Sequence, residues 1–477
     1  MRHPGGNESP RRCSGLRRSQ AALAPDRPES WCTRSDGQLG AVALLVIFAV
    51  ALLVRGVAFS RLHQGLLLED LRDYDAFGWR IAATGELGTR YKPVGFPLFL
   101  ALVYTVVGHS PKGALVILGF LGALSAPVLA AAVSRVGGRR RGWWAGLLLA
   151  SYPGVAFHHI ILLSEGFSAT LFAMALAAAL VLVRRPRIDM AILAGLTCGW
   201  LALIRTPFLP VGPLLGLGLF RLYGRRRVAV VLAVVSLVPT LLWAAQTKRA
   251  YGHWMVGDWN AGFNLYLGNN PEATGRFRIP AEVYTHQFSG EYQRETFYRR
   301  TALDYIRSHP LQAAHLVLSR LAYLMNSEHK DLVYLYSKGW LGERGRGEVA
   351  TILVADFLGW LLLVPVALWG AVACWREREV RLALLAVAGG LALYLASLGD
   401  SRYHVPVVPG VVIVAAWGVT TRFRPRVLGA TRAAVLGVLL SLFLANAALD
   451  AVESWPFFRR VTSPGGSSVH YGYHQLR

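Results

Sequence analysis

The sequence predicts an all-α polytopic membrane protein, and three observations predict it. Hydrophobic residues make up 54% of the 477 and charged residues only 16%, whereas a soluble domain carries about a quarter charged. Several apolar runs reach about 18 residues, enough for a helix to cross a bilayer. The runs are continuous rather than alternating, which argues against a membrane barrel. The formal net charge of +23 would point to nucleic acid in a soluble chain. Here the arginines gather in short segments between apolar runs, so membrane topology accounts for them and no nucleic-acid partner is expected.

The elements follow in order. Residues 1–38 are rich in Pro, Arg, Ser and Gly and read as a disordered basic tail. The run at 39–60 reads as a retained anchor, since no small-residue cleavage site follows it. Further apolar spans lie at 112–134, 142–160, 163–183, 188–204, 207–221, 228–246, 351–374, 381–398, 404–420 and 429–449. Residues 92–108, "KPVGFPLFLALVYTVVG", are also apolar but carry Pro93 and Pro97. As a span they would reverse the parity, so they read as a helix that lies in the interface or re-enters. Leu311–Met325 is the apolar stretch that would compensate if they do span. The expected total is about 11–13 transmembrane helices, with in-plane helices in the first outer loop.

Topology follows from the arginines. With eleven spans, the tail, Arg135/Arg139/Arg140/Arg141, Arg184/Arg185/Arg187, Arg221/Arg225/Arg226/Arg227, Arg376/Arg378/Arg381 and Arg422/Arg424/Arg426 all fall on one side. By the positive-inside rule that side is cytoplasmic. The expectation is a multi-pass protein of the inner (plasma) membrane with a cytoplasmic N-terminus. The chain divides into the 1–38 tail, a 39–246 transmembrane module that includes an outer loop at 61–111, an outer region with helical segments at 247–350, transmembrane helices at 351–450, and a flexible outer tail at 451–477. Cys13, Cys32, Cys198 and Cys374 form no disulfide framework and no zinc spacing.

Chemistry concentrates at the edges of spans. "LLLEDLRDYDAFGWRIAATGELG", from Leu66 to Gly88, sets Asp70, Asp73 and Asp75 just beyond the first span. A short helix from Tyr74 to Ala83, with Phe77, Trp79 and Ile81 toward lipid and Gly85 at its end, would lie along the membrane. A carboxylate held there is placed to act as a general base; the plainer reading, a solvated acidic loop, is equally weighted. The D-x-D of Asp73 and Asp75 also occurs where a metal–diphosphate is chelated, but a three-letter match is weak. Glu165 opens an apolar span and needs a polar cavity, a partner or a helix N-terminus. Arg402 and Arg205 are suited to phosphate oxygens, against the plainer role of interfacial anchors. His158, His159 and Glu165 match no common metal-site spacing. Asn269 and Asn270 lie in "GNNPEATG", a turn-rich stretch that serves equally as structure or sugar contact.

These pieces occur in a recognisable order. "EDLRDYDAFGWRIAATGEL…YKPVGFPLFLALVYTVVG", then "LLSEGFSATLF", "GWLALIRTPFLP", "GFNLYLGNNPEATGRF" and "GDSRYHVPVVPG", resemble GT-C glycosyltransferases of the protein-mannosyltransferase and aminoarabinose-transferase type, over residues 40–420. The resemblance implies a GT-C fold and transfer of a sugar from a polyprenyl-phosphate donor to an acceptor outside the membrane, with inversion. It implies Asp70 as catalytic base, by its spacing to Tyr74, with Asp73 as runner-up. Tyr74, Lys92, Glu165, Arg205, Asn269, Asn270, Arg402, Tyr403 and His404 would bind substrate. The acceptor is a cell-envelope glycan, lipid or protein. Relatives differ in metal use; Tyr91 stands where the aminoarabinose enzymes have an acid, so no cofactor is expected and a divalent metal is the minor alternative. A lipid or polar-solute transporter (flippase) is the competing class, opposed by the lack of an internal repeat and of paired broken helices. An enzyme of O-antigen-ligase type, using diphosphate-linked glycans, is the third.

Overall fold

The computed structural model describes residues 37–61, 69–87, 92–337, 345–421 and 428–464. The basic tail to residue 36, Tyr91, Arg422, Arg424, Arg426 and the segment beyond 464 lie outside the described residues. Among the described residues, every regular element is a helix. In order these are α1 (Ala41–Arg61), α2 (Glu69–Thr84), α3 (Gly95–Val107), α4 (Pro111–Gly137), α5 (Arg139–Ser151), α6 (Pro153–His158), α7 (Ser164–Arg184), α8 (Ile188–Ile204), α9 (Val211–Tyr223) and α10 (Arg226–Tyr251). Residues 252–345 follow with α11 (Ala261–Gly268), α12 (Glu291–Ser308), α13 (Pro310–Leu324) and α14 (His329–Ser337). The chain ends with α15 (Arg346–Ala373), α16 (Arg378–Ala396), α17 (Val408–Thr420) and α18 (Ala430–Val461).

Eight of the described segments are long and apolar enough to cross a membrane: α1, α4, α7, α10, α15, α16, α18 and the stretch Ser401–Thr420 that ends in α17. The other three expected spans are present as shorter helices. The 142–160 run breaks at Tyr152, where Pro153 opens α6, because proline has no N–H to continue the preceding ladder. The 188–204 run is α8, with 17 residues. In the 207–221 run a 3-10 turn at Thr206–Phe208 precedes α9, whose 13 residues rise only about 20 Å. The basic clusters fall where expected, at turns: Arg139 opens α5, Arg185 and Arg187 separate α7 from α8, and Arg376 separates α15 from α16.

Two expectations needed adjustment. The in-plane helix begins at Glu69 rather than Tyr74 and, as expected, stops before Gly85, whose φ is 73°. The outer tail expected from 451 is helical to Val461, because polar side chains on that turn have partners elsewhere. Lys330 Nζ lies 2.7 Å from Asp450 Oδ1, and Ser454 Oγ lies 2.6 Å from His329 Nε2.

The hairpin of α2 and α3 carries Asp70, Asp73 and Asp75, the acids singled out in the sequence. At 13 residues, α3 spans about 20 Å, short of the ~30 Å hydrocarbon layer. One face, with Phe96, Phe99, Leu100, Val103 and Tyr104, is buried; Leu102 and Val106 on the other are exposed. Tyr104 Oη donates to Asp75 Oδ1 at 2.6 Å, tying the two helices together. They cross at Gly78: a Cβ built there would lie 2.6 Å from Leu100 Cβ. Gly78→Val is therefore expected to destabilise the hairpin by about 1–3 kcal/mol, the usual cost of overpacking. Thermal unfolding of the purified protein in detergent would read this as a lowered midpoint; an unchanged midpoint would mean the crossing has slack.

Candidate active site

Four stretches of chain converge next to the hairpin. The start of α3 rests on the end of α8: a Cβ on Gly95 would lie 2.6 Å from Ile204 N, and Trp200 Nε1 donates to Gly95 O at 3.0 Å. Lys92 and Arg205, the residues flanking that contact in sequence, are brought together by it. The 255–259 stretch adds a third wall. Gly257 has a φ of +95°, which favours glycine, and a Cβ there would lie 2.1 Å from Thr206 Oγ1. Its carbonyl accepts from Trp243 Nε1 at 2.8 Å. The fourth is the first turn of α7, held to α3 by the stacked rings of Phe99 and Phe167, 4.0 Å apart.

The site has two charged groups. In the first, Lys92 Nζ is hydrogen-bonded to Asp70 Oδ1, lies 3.7 Å from Asp73 Oδ2, and sits 5.0 Å from the centroid of the Tyr74 ring. The Lys92 side chain is 8% exposed and that of Asp70 46%, so the cation is sunk beneath an open carboxylate. Burial alone would raise the Asp70 pKa, but Lys92 and Arg402 outweigh it and hold the carboxyl below its usual range. Burial would likewise lower Lys92, yet Tyr74, Asp70 and Asp73 together raise it.

In the second group, Glu165 Oε1 is 2.7 Å from Arg205 Nη1 and 3.6 Å from Arg402 Nε. Arg205 also donates to Tyr394 Oη at 2.6 Å and to Ser164 Oγ at 3.2 Å, and its guanidinium lies 4.9 Å from the Tyr403 ring centroid. Tyr394 and Tyr403 stack 4.6 Å apart. Two arginines thus share one buried carboxylate, beside a group in which one lysine meets two carboxylates. Planar guanidinium forks of this kind suit phosphate oxygens.

Of the expected site residues, Asp70, Asp73, Tyr74, Lys92, Glu165, Arg205, Arg402 and Tyr403 are brought together. Three are not. His404 is fully buried: Nδ1 lies 2.7 Å from Leu324 O, Nε2 3.1 Å from Glu328 Oε1, and the ring stacks on Trp360 at 3.8 Å. It anchors the turn that presents Arg402. Asn269 gives its amide to Leu265 O and Ala396 O and accepts from Arg320. Asn270 gives its amide to Tyr266 O and Leu267 O and accepts from Glu272 N. Both asparagines spend their hydrogen-bonding capacity on the fold. His158 and His159 are buried too, bonded to Gly154 O and to Thr170 and Arg55. Among the described residues, no group of three or more His, Cys, Asp and Glu side chains is arranged to hold a metal.

Sequence reasoning missed Tyr394 and Asp258. A lone tyrosine in an apolar span, with a hydroxyl that needs a partner, was the available signal for the first. Asp258 accepts from Asn260 N at 2.8 Å. Burial and the neighbouring Glu295 push its carboxyl up to about 7, although Lys92 and Arg205 act the other way.

No protein-family model matches the chain, and no curated protein sequence matches it. Solved structures similar to it include ArnT from Cupriavidus metallidurans bound to undecaprenyl phosphate, 18% identical, covering 92% of this chain and 76% of that one, with a TM-score of 0.48. The same protein in the apo state is 19% identical, with coverages of 91% and 75% and a TM-score of 0.49. The archaeal oligosaccharyltransferase AglB from Archaeoglobus fulgidus, in complex with an inhibitory peptide and a dolichol-phosphate, is 12% identical, with coverages of 91% and 60% and a TM-score of 0.46.

Removing the shared carboxylate would leave two guanidinium groups unbalanced in a buried place. Glu165→Gln, which keeps the shape, is expected to cost about 3 kcal/mol, since breaking a buried pair strands the remaining charge. A denaturation midpoint equal to wild type would show that the arginines have other compensation.

Proposed function

We propose that the protein is a membrane glycosyltransferase that takes a sugar from a polyprenyl-phosphate donor and gives it to an acceptor on the outer side of the cytoplasmic membrane. One observation carries this reading: a half-exposed Asp70 held on Lys92 lies within the electrostatic reach of Arg402, which shares the buried Glu165 with Arg205. A carboxylate base beside a lysine and two arginines suited to phosphate oxygens is what displacement at an anomeric carbon needs.

Asp70 takes the proton from the acceptor hydroxyl. The acceptor oxygen forms a bond to the anomeric carbon as the bond from that carbon to the phosphate oxygen breaks on the opposite face, with inversion. The electron pair leaves with the lipid phosphate, whose growing charge Arg402, Arg205 and Lys92 stabilise. Lys92 serves both halves: an arriving phosphate competes with Asp70 for the ammonium and frees the carboxylate to act as base. No nucleotide is required.

The test is transfer from a panel of radiolabelled polyprenyl-monophosphate sugars, using purified protein and native membranes as acceptor. Asp70→Asn is expected to lower the rate by at least about 100-fold, the lower end of what a general base supplies, while the protein stays folded and inserted. Full activity in that variant would remove Asp70 from the role and point to Asp73. Absence of transfer from every donor, with the protein folded, would favour a flippase or a diphosphate-linked donor.

A pH dependence follows from Asp258. Its carboxyl titrates near 7 in the folded chain and near 3.9 when unfolded. Between those values the native state holds a proton that the unfolded state has lost, so stability falls as pH rises through that window. Above about 7 the new negative charge competes with the donor phosphate for Lys92 and Arg205. The donor KM is expected to rise above that pH, and Asp258→Asn should flatten the rise. A profile identical to wild type would place Asp258 outside the donor site.

A further inference from the structure

A cavity lined by none of the residues of the two charged groups lies between the 274–284 stretch, α13 and α18. Its volume is about 550 Å³, and its walls include Arg276, Phe277, Arg278, Tyr284, Tyr323 and Glu453. That volume falls within the ~300–1,000 Å³ of small-molecule sites. The charges around it cancel. Arg276 pairs with Glu453, and Arg278 pairs with Glu272 at 3.2 Å. Lys330 lies between Asp450, at 2.7 Å, and Glu453, at 3.7 Å. In and around the cavity three cations thus meet three carboxylates, so its surroundings carry no net charge with which to select an anion or a cation.

What remains is unused hydrogen-bonding capacity. A guanidinium offers five N–H donors and a carboxylate about four lone-pair sites, so one ion pair exhausts neither. Hydroxyl groups both donate and accept, and suit such a pair. Two aromatic rings complete the lining. The guanidinium of Arg276 lies 4.2 Å from the Tyr323 ring centroid, which fixes its plane. Tyr284 is 74% exposed, an open apolar ring face with a polar tip.

We infer that this cavity binds a neutral, hydroxyl-rich glycan: Arg276, Glu453 and Arg278 address its hydroxyls and Tyr284 packs on a ring face. The assignment rests on the proposed function in one respect, that this glycan is the acceptor chain. The connection to the chemistry is short. Gly275, beside Arg276, accepts from Gly399 N at 3.0 Å, and Gly399 leads through Asp400 to Arg402. Acceptor held here reaches the donor site along a wall that also carries the phosphate-binding arginine.

The test uses the purified full-length protein on a printed array of neutral oligosaccharides with their uronate- and phosphate-bearing counterparts. Neutral members are expected to bind. Tyr284→Ala should weaken them about tenfold, the order for losing one aromatic contact. Glu453→Gln keeps the shape but unbalances Arg276 and Lys330, so it should shift preference toward the acidic counterparts, which a purely structural role would not do. Circular dichroism and gel filtration check folding; Tyr284 is exposed, so its variant decides the matter if Glu453→Gln does not fold. Failure of every neutral member to bind, indifference to Tyr284→Ala, or a wild-type preference for acidic members would overturn the inference. Array binding without any detectable sugar transfer would sink the transferase reading and leave the glycan site standing.

Discussion

Everything at the site depends on keeping charge at the edge of a medium that rejects it. Glu165 is 3% exposed and sits at the first turn of a membrane-spanning helix. An isolated carboxylate there would cost several kcal/mol. It persists because the α7 N-terminus favours a negative charge and because Arg205 and Arg402 reach it from two other parts of the chain. The pairing fixes more than one residue. Arg205 holds Tyr394 and Ser164, and through Glu165 the 401–403 turn is drawn to α7. Without that carboxylate, the end of α8, the start of α7 and the 401–403 turn would lose their common point of attachment.

The same economy appears in the supporting shell. His404, Glu328 and Tyr152 form one buried chain, with Tyr152 Oη donating to Glu328 Oε1 at 2.9 Å. Arg320, almost fully buried, donates to Leu395 O, Ala396 O, Gly268 O and Asn269 Oδ1. It thereby clamps the outer region onto the end of α16. Polar groups in an apolar protein are costly unless satisfied, so each forces a specific docking of distant segments. These networks hold the 401–404 turn and the end of α16 against α13.

How much of this was legible depended on whether the cause was local. The spans and the in-plane helix followed from runs of apolar residues and from the glycine after Thr84. Asp70, Lys92 and Arg402 were legible as charges that the membrane edge must justify. The breaks at Pro153 and Pro207 were weaker signals, because proline is tolerated inside membrane helices when neighbours satisfy the freed groups. Asn269 and His404 looked like ligand contacts because partners of theirs, Arg320 and Glu328, lie at least 50 residues away in sequence, whereas Asn270 is bonded within its own turn, to Tyr266, Leu267 and Glu272. The helical continuation to Val461 was hidden for the same reason, since Asp450 and Ser454 take their partners from α14. Long-range pairing of polar groups leaves no local pattern to read.

The contact between Lys92 and Asp70 has a consequence for the order of events in the proposed reaction. A base that is already paired is a poor base, since the ammonium holds its carboxyl below the usual range. In the proposed reaction its basicity rises when another anion draws on Lys92 and on Arg402, the two cations that hold it down. The anion that the reaction supplies is the donor phosphate. Acceptor activation is therefore conditional on the donor being seated, and an empty site holds no strong base to attack by mistake. Asp258 fits this logic from the other side. Protonated below about 7, it leaves the same cations to the phosphate; ionised, it would draw on them. In the proposed reaction, one buried lysine shared between a base and a leaving group would make the two halves of the displacement dependent on each other.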